Sequence, residues 1–283
     1  SGRETERIKR SVWIDPRRIR NSLKERKEKL KRVNGNTALY KQYLKCLNDY
    51  EIVEDGCTNI YAFYEELSRA MKENQNLMVS VGTSRVAGSQ AFRVKKGQRF
   101  ITNPNTASMG FCLPGATGVC IASGKQPVVC VTGEGSLQMN IQELQTIRQN
   151  HLPIKLFVIN NQGYHSIRQT QQSYFGEPLV GVGQESGDLS FPDLQKLIPA
   201  YGFPYRCIHS SEKLADTIKE VLEMDGAAVC EVFVTRYQKT EPKTSSKKLP
   251  DGKMVSAPLE DMYPFLSREE LEEKMYIPLP EQK

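Results

Sequence analysis

From residue 60 onward the chain alternates short apolar runs with longer stretches of helical period, and no other feature limits its possible folds as much. The runs at 77–81, 99–102, 127–131, 154–159, 205–208 and 228–234 are the length of strands. Several, such as Val128-Val129-Cys130-Val131, are apolar at successive rather than alternate positions. A strand of that kind must be covered on both faces, as in a parallel sheet clothed by helices. Between the runs, Ile60, Phe63, Tyr64, Leu67, Ala70 and Met71 recur at helical spacing, as do Leu137, Ile141, Leu144 and Ile147. The second set predicts a helix over 136–150, and others are predicted over 86–92, 109–123, 191–201 and 212–224. Strand and helix in repeated alternation predict an α/β fold, a doubly wound, mostly parallel sheet with helices on both faces.

Composition divides the chain. The net charge is +6, yet residues 1–32 hold thirteen Lys/Arg against five Asp/Glu, so the positive excess lies in this first segment. Over 17–29 charges of both signs mix at helical spacing without aromatic residues between them, which fits a solvated helix or linker better than a nucleic-acid surface. Residues 1–58 are read as a basic lead-in and 59–237 as the compact domain. Residues 238–283, rich in Lys, Ser, Pro and Asp, are read as a C-terminal tail over the surface, with one short helix near 267–275. No apolar run approaches the roughly 20 residues of a membrane span, and the charged N-terminus lacks the pattern of a signal peptide. The seven cysteines include no CxxC pair, which points to small core residues in a reducing cytoplasm rather than a disulfide or zinc framework. Neither a nucleic acid nor a membrane is expected as a partner.

In such a sheet, ligands lie beyond the carboxyl ends of the strands. One strand-end loop reads Thr132-Gly133-Glu134-Gly135-Ser136. Its glycines let backbone approach a phosphate, and Ser136 is placed to cap the helix that follows. A carboxylate beside a phosphate makes sense with a divalent cation between them, which makes Glu134 a candidate metal ligand. The next strand-end loop reads Asn160-Asn161-Gln162-Gly163-Tyr164 and offers an amide oxygen and a backbone carbonyl, both hard ligands suited to Mg²⁺. Either loop alone is more often an ordinary turn. Here they end two apolar strands, with 24 residues between Gly135 and Asn160.

This combination resembles the thiamine-diphosphate motif, in which GDG is followed at about this distance by NN. The segment Ile101-Thr102-Asn103-Pro104-Asn105-Thr106-Ala107-Ser108-Met109-Gly110-Phe111-Cys112-Leu113-Pro114-Gly115-Ala116 is similar to the MGFGLPAAIGA-type segment of acetolactate synthases and related 2-oxoacid decarboxylases. Gly82-Thr83-Ser84, followed by Gln90, resembles the diphosphate-contacting turn of that family, with Thr83-Ser84 in place of its usual Gln-His pair. The resemblance covers roughly 59–237, the diphosphate-binding (PP) domain. Residues 258–262 and 264–270 are similar to the tail of acetolactate synthase-like proteins of surface-polysaccharide biosynthesis.

The resemblance implies thiamine diphosphate and Mg²⁺ as cofactors, with the metal on Glu134, Asn161 and the backbone carbonyl of Gly163. It places Gly82, Thr83, Ser84, Gly133, Gly135, Ser136, Asn161 and Tyr164 at the cofactor. Met109 would support the bent cofactor from below, and the Ala107 carbonyl would accept from its 4′-amino group. FAD would belong to the full-length enzyme, and no residue here indicates it. Glu134 departs from the family's aspartate, which puts metal affinity and preference in question. His165 lies close by without a family role and is a candidate proton donor.

The resemblance also implies what the segment lacks. In this family the cofactor is activated by a glutamate on a separate pyrimidine-binding (PYR) domain, usually of another subunit, and residues before Asn59 leave no room for one. The chain begins Ser1-Gly2 without a methionine. It is expected to be the C-terminal half of a longer enzyme or one chain of a naturally split one, inactive without a PYR domain. The implied holoenzyme is a dimer or tetramer that decarboxylates a 2-oxoacid such as pyruvate and ligates the resulting carbanion to a second carbonyl compound. Simple decarboxylation and a non-catalytic cofactor-binding or scaffold module remain as alternatives. A nicotinamide-dependent dehydrogenase is excluded, because no GxGxxG follows a strand with an acid about 20 residues on.

Overall fold

The computed structural model describes residues 57–241, 243, 245–248, 252–257, 263 and 265–274. The basic lead-in up to residue 56 and residues 258–262 of the tail lie outside the described residues. The described residues form two compact units divided after Gln238.

The first unit contains strands β1 (Asn76–Val79), β2 (Arg99–Ile101), β3 (Val128–Gly133), β4 (Ile154–Asn160), β5 (Tyr205–Ile208) and β6 (Ala228–Phe233). They form one sheet in the order β2-β1-β3-β4-β6-β5, and every neighbouring pair is parallel. Its helices are α1 (Ile60–Ala70), α2 (Thr83–Ala91), α3 (Cys112–Ala122), α4 (Glu134–Gln138), α5 (Glu143–Gln149), α6 (His165–Tyr174), α7 (Leu194–Ala200) and α8 (Leu214–Glu223). This is the α/β sheet that the alternation predicts.

Two apolar layers hold the sheet between them. On one face Phe63, Tyr64 and Leu67 of α1, Ala87 of α2 and Ile218 and Val221 of α8 pack on Val79, Val131, Phe157 and Val232. On the other, Leu113 and Ala116 of α3, Leu144 and Ile147 of α5 and Ile198 of α7 pack on Met78, Cys130, Leu156 and Val158. Successive strand residues thus feed opposite layers, which is why β3 and β4 are apolar throughout. Burial of each such large side chain contributes about 1.5–3 kcal/mol. Asn59 starts α1, its side chain accepting from the amides of Tyr61 and Ala62.

Three elements depart from expectation. The helix predicted over 109–123 starts only at Cys112, because Gly110 has a left-handed φ of 84°. The helix predicted over 136–150 is two helices, α4 and α5. Between them Asn140 turns its side-chain amide onto the Gly110 carbonyl at 3.0 Å, and the backbone closes i to i−3 bonds such as Glu143 to Asn140. The periodicity predicts no element between Tyr164 and Phe191, where the structure has α6.

The second unit holds an antiparallel hairpin, β7 (Ser246–Lys248) with β8 (Met254–Ser256), and helix α9 (Arg268–Lys274). The short helix expected near 267–275 is α9; the hairpin is not predicted. No helix among the described residues is long and apolar enough to cross a membrane.

The strand order decides where a ligand can bind. The chain leaves β1 toward β2 on one side and leaves β3 toward β4 on the other. Such a reversal opens a crevice at the carboxyl ends of the two diverging strands.

Candidate functional site at the strand ends

The crevice between β1 and β3 is closed at its base by two hydroxyls. Ser80, just past β1, lies with its Oγ 2.9 Å from the Oγ of Ser136 in α4. Ser136 Oγ also accepts the backbone N–H of Gly110 at 2.9 Å. Ser136 therefore does not cap α4, whose N-cap is Gly133. Its hydroxyl binds the β1 end and the loop carrying Ala107 and Met109 to the β3 end. Beyond Ser80, Gly82 opens α2, and Thr83 and Ser84 are buried in its first turn. The hydroxyl of Tyr64 donates to the Ser84 carbonyl at 2.7 Å, and that of Tyr61 to Gln90 Oε1 at 2.6 Å, fixing α2 against α1.

Glu134 opens α4 and is 3% exposed. Its Oε1 accepts the amides of Gly163 at 2.8 Å and Asn161 at 3.2 Å, both in the loop after β4. Burial pushes the Glu134 carboxyl up to about 7. The Gly163 and Asn161 amides oppose that rise and the nearby Glu231 carboxylate adds to it. The side-chain Oδ1 of Asn161, whose backbone N–H binds Glu134, is buried with no hydrogen-bond partner. A buried amide oxygen without a partner and a buried carboxylate are each costly unless a cation or donor meets them.

The loop after β4 is held from several directions. Asn160 Oδ1 accepts the Gln162 amide at 2.9 Å, and Gln162 has a left-handed φ of 59°. Arg168 of α6, only 2% exposed, donates from Nη2 to the Gln162 carbonyl at 3.2 Å and pairs through Nε with Glu185. Arg236 donates to Gln162 Oε1 and lies 3.6 Å from Glu185 Oε2. Burial alone would raise the Glu185 carboxyl, but Arg168 and then Arg236 hold it below the ordinary value of 4.5. The Tyr164 ring covers Gly135 so closely that a Cβ there would lie 2.3 Å from Tyr164 Cε1. The same ring meets Phe191 edge-on at 5.6 Å.

The thiamine pyrophosphate enzyme family, in its C-terminal TPP binding domain, matches residues 80–232, which run from Ser80 at the crevice to Val232 in β6. The chain belongs to this family. Its TPP binding domain is also similar to acetolactate synthase large subunits. That of Porphyra purpurea is 32% identical over 168 residues, 59% of this chain and 28% of the relative. Isozyme 3 of Escherichia coli is 35% identical over 162 residues, 57% of this chain and 28% of the relative. Acetolactate synthase 1, chloroplastic, of Nicotiana tabacum is 27% identical over 232 residues, 80% of this chain and 35% of the relative. The chain thus aligns with about a third of the length of these relatives.

Within the TPP binding domain the structure brings together most residues that the sequence singles out. Glu134, Asn161 and Gly163 meet through hydrogen bonds, and Gly135 meets Tyr164. Gly82, Thr83 and Ser84 follow the neighbouring strand end, tied in through Ser80 and Ser136. Ala107 is exposed and adopts a left-handed φ of 51°, uncommon for a residue with a Cβ. Met109 is 37% exposed and not a core residue, and Phe111 beside it is 40% exposed. His165 is buried as the first residue of α6. Sequence reasoning missed Arg168, Glu185 and Arg236, which are far apart along the chain and resemble surface charges. It also missed Glu231, although an acid inside the run Val229-Cys230-Glu231-Val232 was a visible signal.

Proposed function

We propose that this domain binds thiamine diphosphate through a Mg²⁺ ion held by Glu134 and Asn161, as the PP half of an acetolactate synthase-like enzyme. The enzyme would decarboxylate a 2-oxoacid, pyruvate foremost, and ligate the product to a second carbonyl compound. The observation that carries this is the buried, unpartnered Oδ1 of Asn161, whose own backbone amide binds the buried Glu134 carboxylate: two hard oxygen donors in loops at adjacent strand ends. A divalent cation there would satisfy the amide oxygen and remove the cost of ionising Glu134. The Gly163 carbonyl would complete the protein's share of the ligands. Bound thiamine diphosphate supplies an electron sink for cleavage beside a carbonyl.

The chain's own residues bind and orient. Gly82, Thr83, Ser84, Gly133, Gly135, Ser136 and Tyr164 would line the diphosphate side. The Ala107 carbonyl and the exposed Met109 would meet the rest of the cofactor. A PYR domain, from the same or another chain in a dimer or tetramer, would supply the activating glutamate. It would also cover Met109, Phe111 and Met139, all more than a third exposed. Residues 1–283 alone are then without turnover. A cytoplasmic setting belongs to the same proposal, supported by cysteines used as small core residues, Cys112, Cys120, Cys130 and Cys230.

The test is titration of thiamine diphosphate with and without Mg²⁺, followed by calorimetry, on the wild type, Glu134→Ala and Asn161→Ala. Both variants should lose the Mg²⁺-dependent part of binding while keeping a cooperative thermal transition. Wild-type affinity in both would remove the metal assignment.

A further inference from the structure

Glu231 lies on β6 and is 4% exposed, in a strand whose other residues are apolar apart from it. Both its oxygens are engaged. Oε1 accepts from Asn160 Nδ2 at 2.6 Å and Oε2 from the Tyr205 hydroxyl at 2.5 Å. A buried carboxylate is costly, and replacing such a group together with its partners by well-packed apolar residues is often neutral or stabilising. Stability therefore does not account for this one, but its link to Asn160 does. An asparagine amide has one NH₂ and one carbonyl oxygen. With Nδ2 fixed on Glu231, Oδ1 is turned onto the Gln162 amide, where it sits at 2.9 Å. That bond accompanies the left-handed turn at Gln162, and the residues on either side of the turn, Asn161 and Gly163, both present their amides to Glu134 Oε1.

We propose that Glu231 is a positioning residue for the loop after β4: through Asn160 it sets the turn that presents Asn161 and Gly163 to Glu134. The inference rests on the assignment of Glu134 and Asn161 as the metal-facing pair. Glu231 acts without touching metal or cofactor, in the way that outer partners of metal ligands generally act.

The first experiment is Glu231→Leu in the full chain, read in two ways. Without metal, the thermal midpoint should fall, because Asn160 Nδ2 and the Tyr205 hydroxyl lose their acceptor, and amide hydrogen exchange at 161–163 should speed up by about tenfold or more beyond the acceleration elsewhere in the sheet. With Mg²⁺ present, the apparent affinity for thiamine diphosphate should fall by about 10–100-fold. The second experiment reverses the bond. Asn160→Asp sets two carboxylates against each other and should show the same losses. Adding Glu231→Gln places an amide NH₂ opposite the new carboxylate, whose other oxygen still accepts Gln162 N–H, and should restore both readouts to within about threefold of wild type. A merely structural role would speed exchange evenly across the sheet and leave the loop unselected. Wild-type exchange at 161–163 in Glu231→Leu, or a double variant as impaired as Asn160→Asp alone, would overturn the proposal. Glu134→Ala separates the two levels. If it keeps Mg²⁺-dependent binding, the metal assignment fails whatever the loop does. If it loses binding while Glu231→Leu changes neither readout, only the positioning role fails.

Discussion

The hydroxyl of Ser136 accepts the Gly110 amide at 2.9 Å and lies equally close to the hydroxyl of Ser80, so one oxygen atom joins three segments. Replacing Ser136 by Ala leaves a buried amide and a hydroxyl without their partner, a loss of about 1–3 kcal/mol. Ser136→Ala is expected to raise hydrogen exchange and protease cleavage over 105–111 ahead of any other part of the sheet. Equal protection of that loop in variant and wild type would show that Ser136 does not hold it.

Gly135 is expected to tolerate no side chain. A methyl group there meets the Tyr164 ring at 2.3 Å, so either α4 or the ring must move. Overpacking of this kind costs about 1–3 kcal/mol. Calorimetry should show Gly135→Ala melting below wild type and binding thiamine diphosphate with Mg²⁺ more weakly. Shrinking the obstacle with Tyr164→Ala should recover part of the lost stability.

Glu134→Asp should separate stability from metal binding. The shorter acid withdraws from the Gly163 and Asn161 amides that Glu134 now reaches. Without metal the variant should be less stable by about 1–3 kcal/mol, the cost of buried amides left unpaired. With Mg²⁺ its carboxylate, no longer held by those amides, should bind as well as wild type or more tightly. Parallel thermal-shift series with and without Mg²⁺ read both effects, and a joint fall in stability and Mg²⁺ response would contradict the assignment.

Glu185 gives a pH dependence of known sign. Its carboxyl titrates below 4.5 in the folded chain, held there chiefly by Arg168. A depressed folded value means that its stabilisation is fully present above the unfolded pKa and is lost as pH falls through the folded one. Removing it takes the carboxylate from the buried Arg168, so Glu185→Ala should cost about 1–2 kcal/mol at pH 7, the partly exposed acid being screened by solvent. The gap between variant and wild type in urea unfolding should close as the pH falls below 4.5. A gap independent of pH would mean that packing rather than charge is at stake.

The sheet could be read from the chain because β3 and β4 are apolar on both faces and no competing structure suits such runs. Helix α6 could not, since its buried residues are His165 and Arg168 while Ile167 is 44% exposed, so it lacks an apolar stripe. The break between α4 and α5 was equally hidden. Leu137, Ile141, Leu144 and Ile147 keep the helical period, and the interruption comes from the contact of Asn140 with Gly110, 30 residues away. Glu134 and Asn161 stood out because two unusual strand-end loops occurred at one spacing. Arg168, Glu185 and Arg236 had no local signal at all, because only burial distinguishes them from surface charges.

The strand order also governs when the site is completed. The bond between Glu134 and Gly163 spans 29 residues, whereas that between Asn160 and Glu231 spans 71 and waits for the last strand of the sheet. Contacts so distant in sequence form late and slow the folding of the parts that depend on them. On the ribosome the loop after β4 emerges well before β6, and a nascent chain has Asn160 before it has the strand that carries Glu231. The β4 loop therefore gains its last support in the same step that closes β6 into the sheet, and no partial domain can carry the finished crevice.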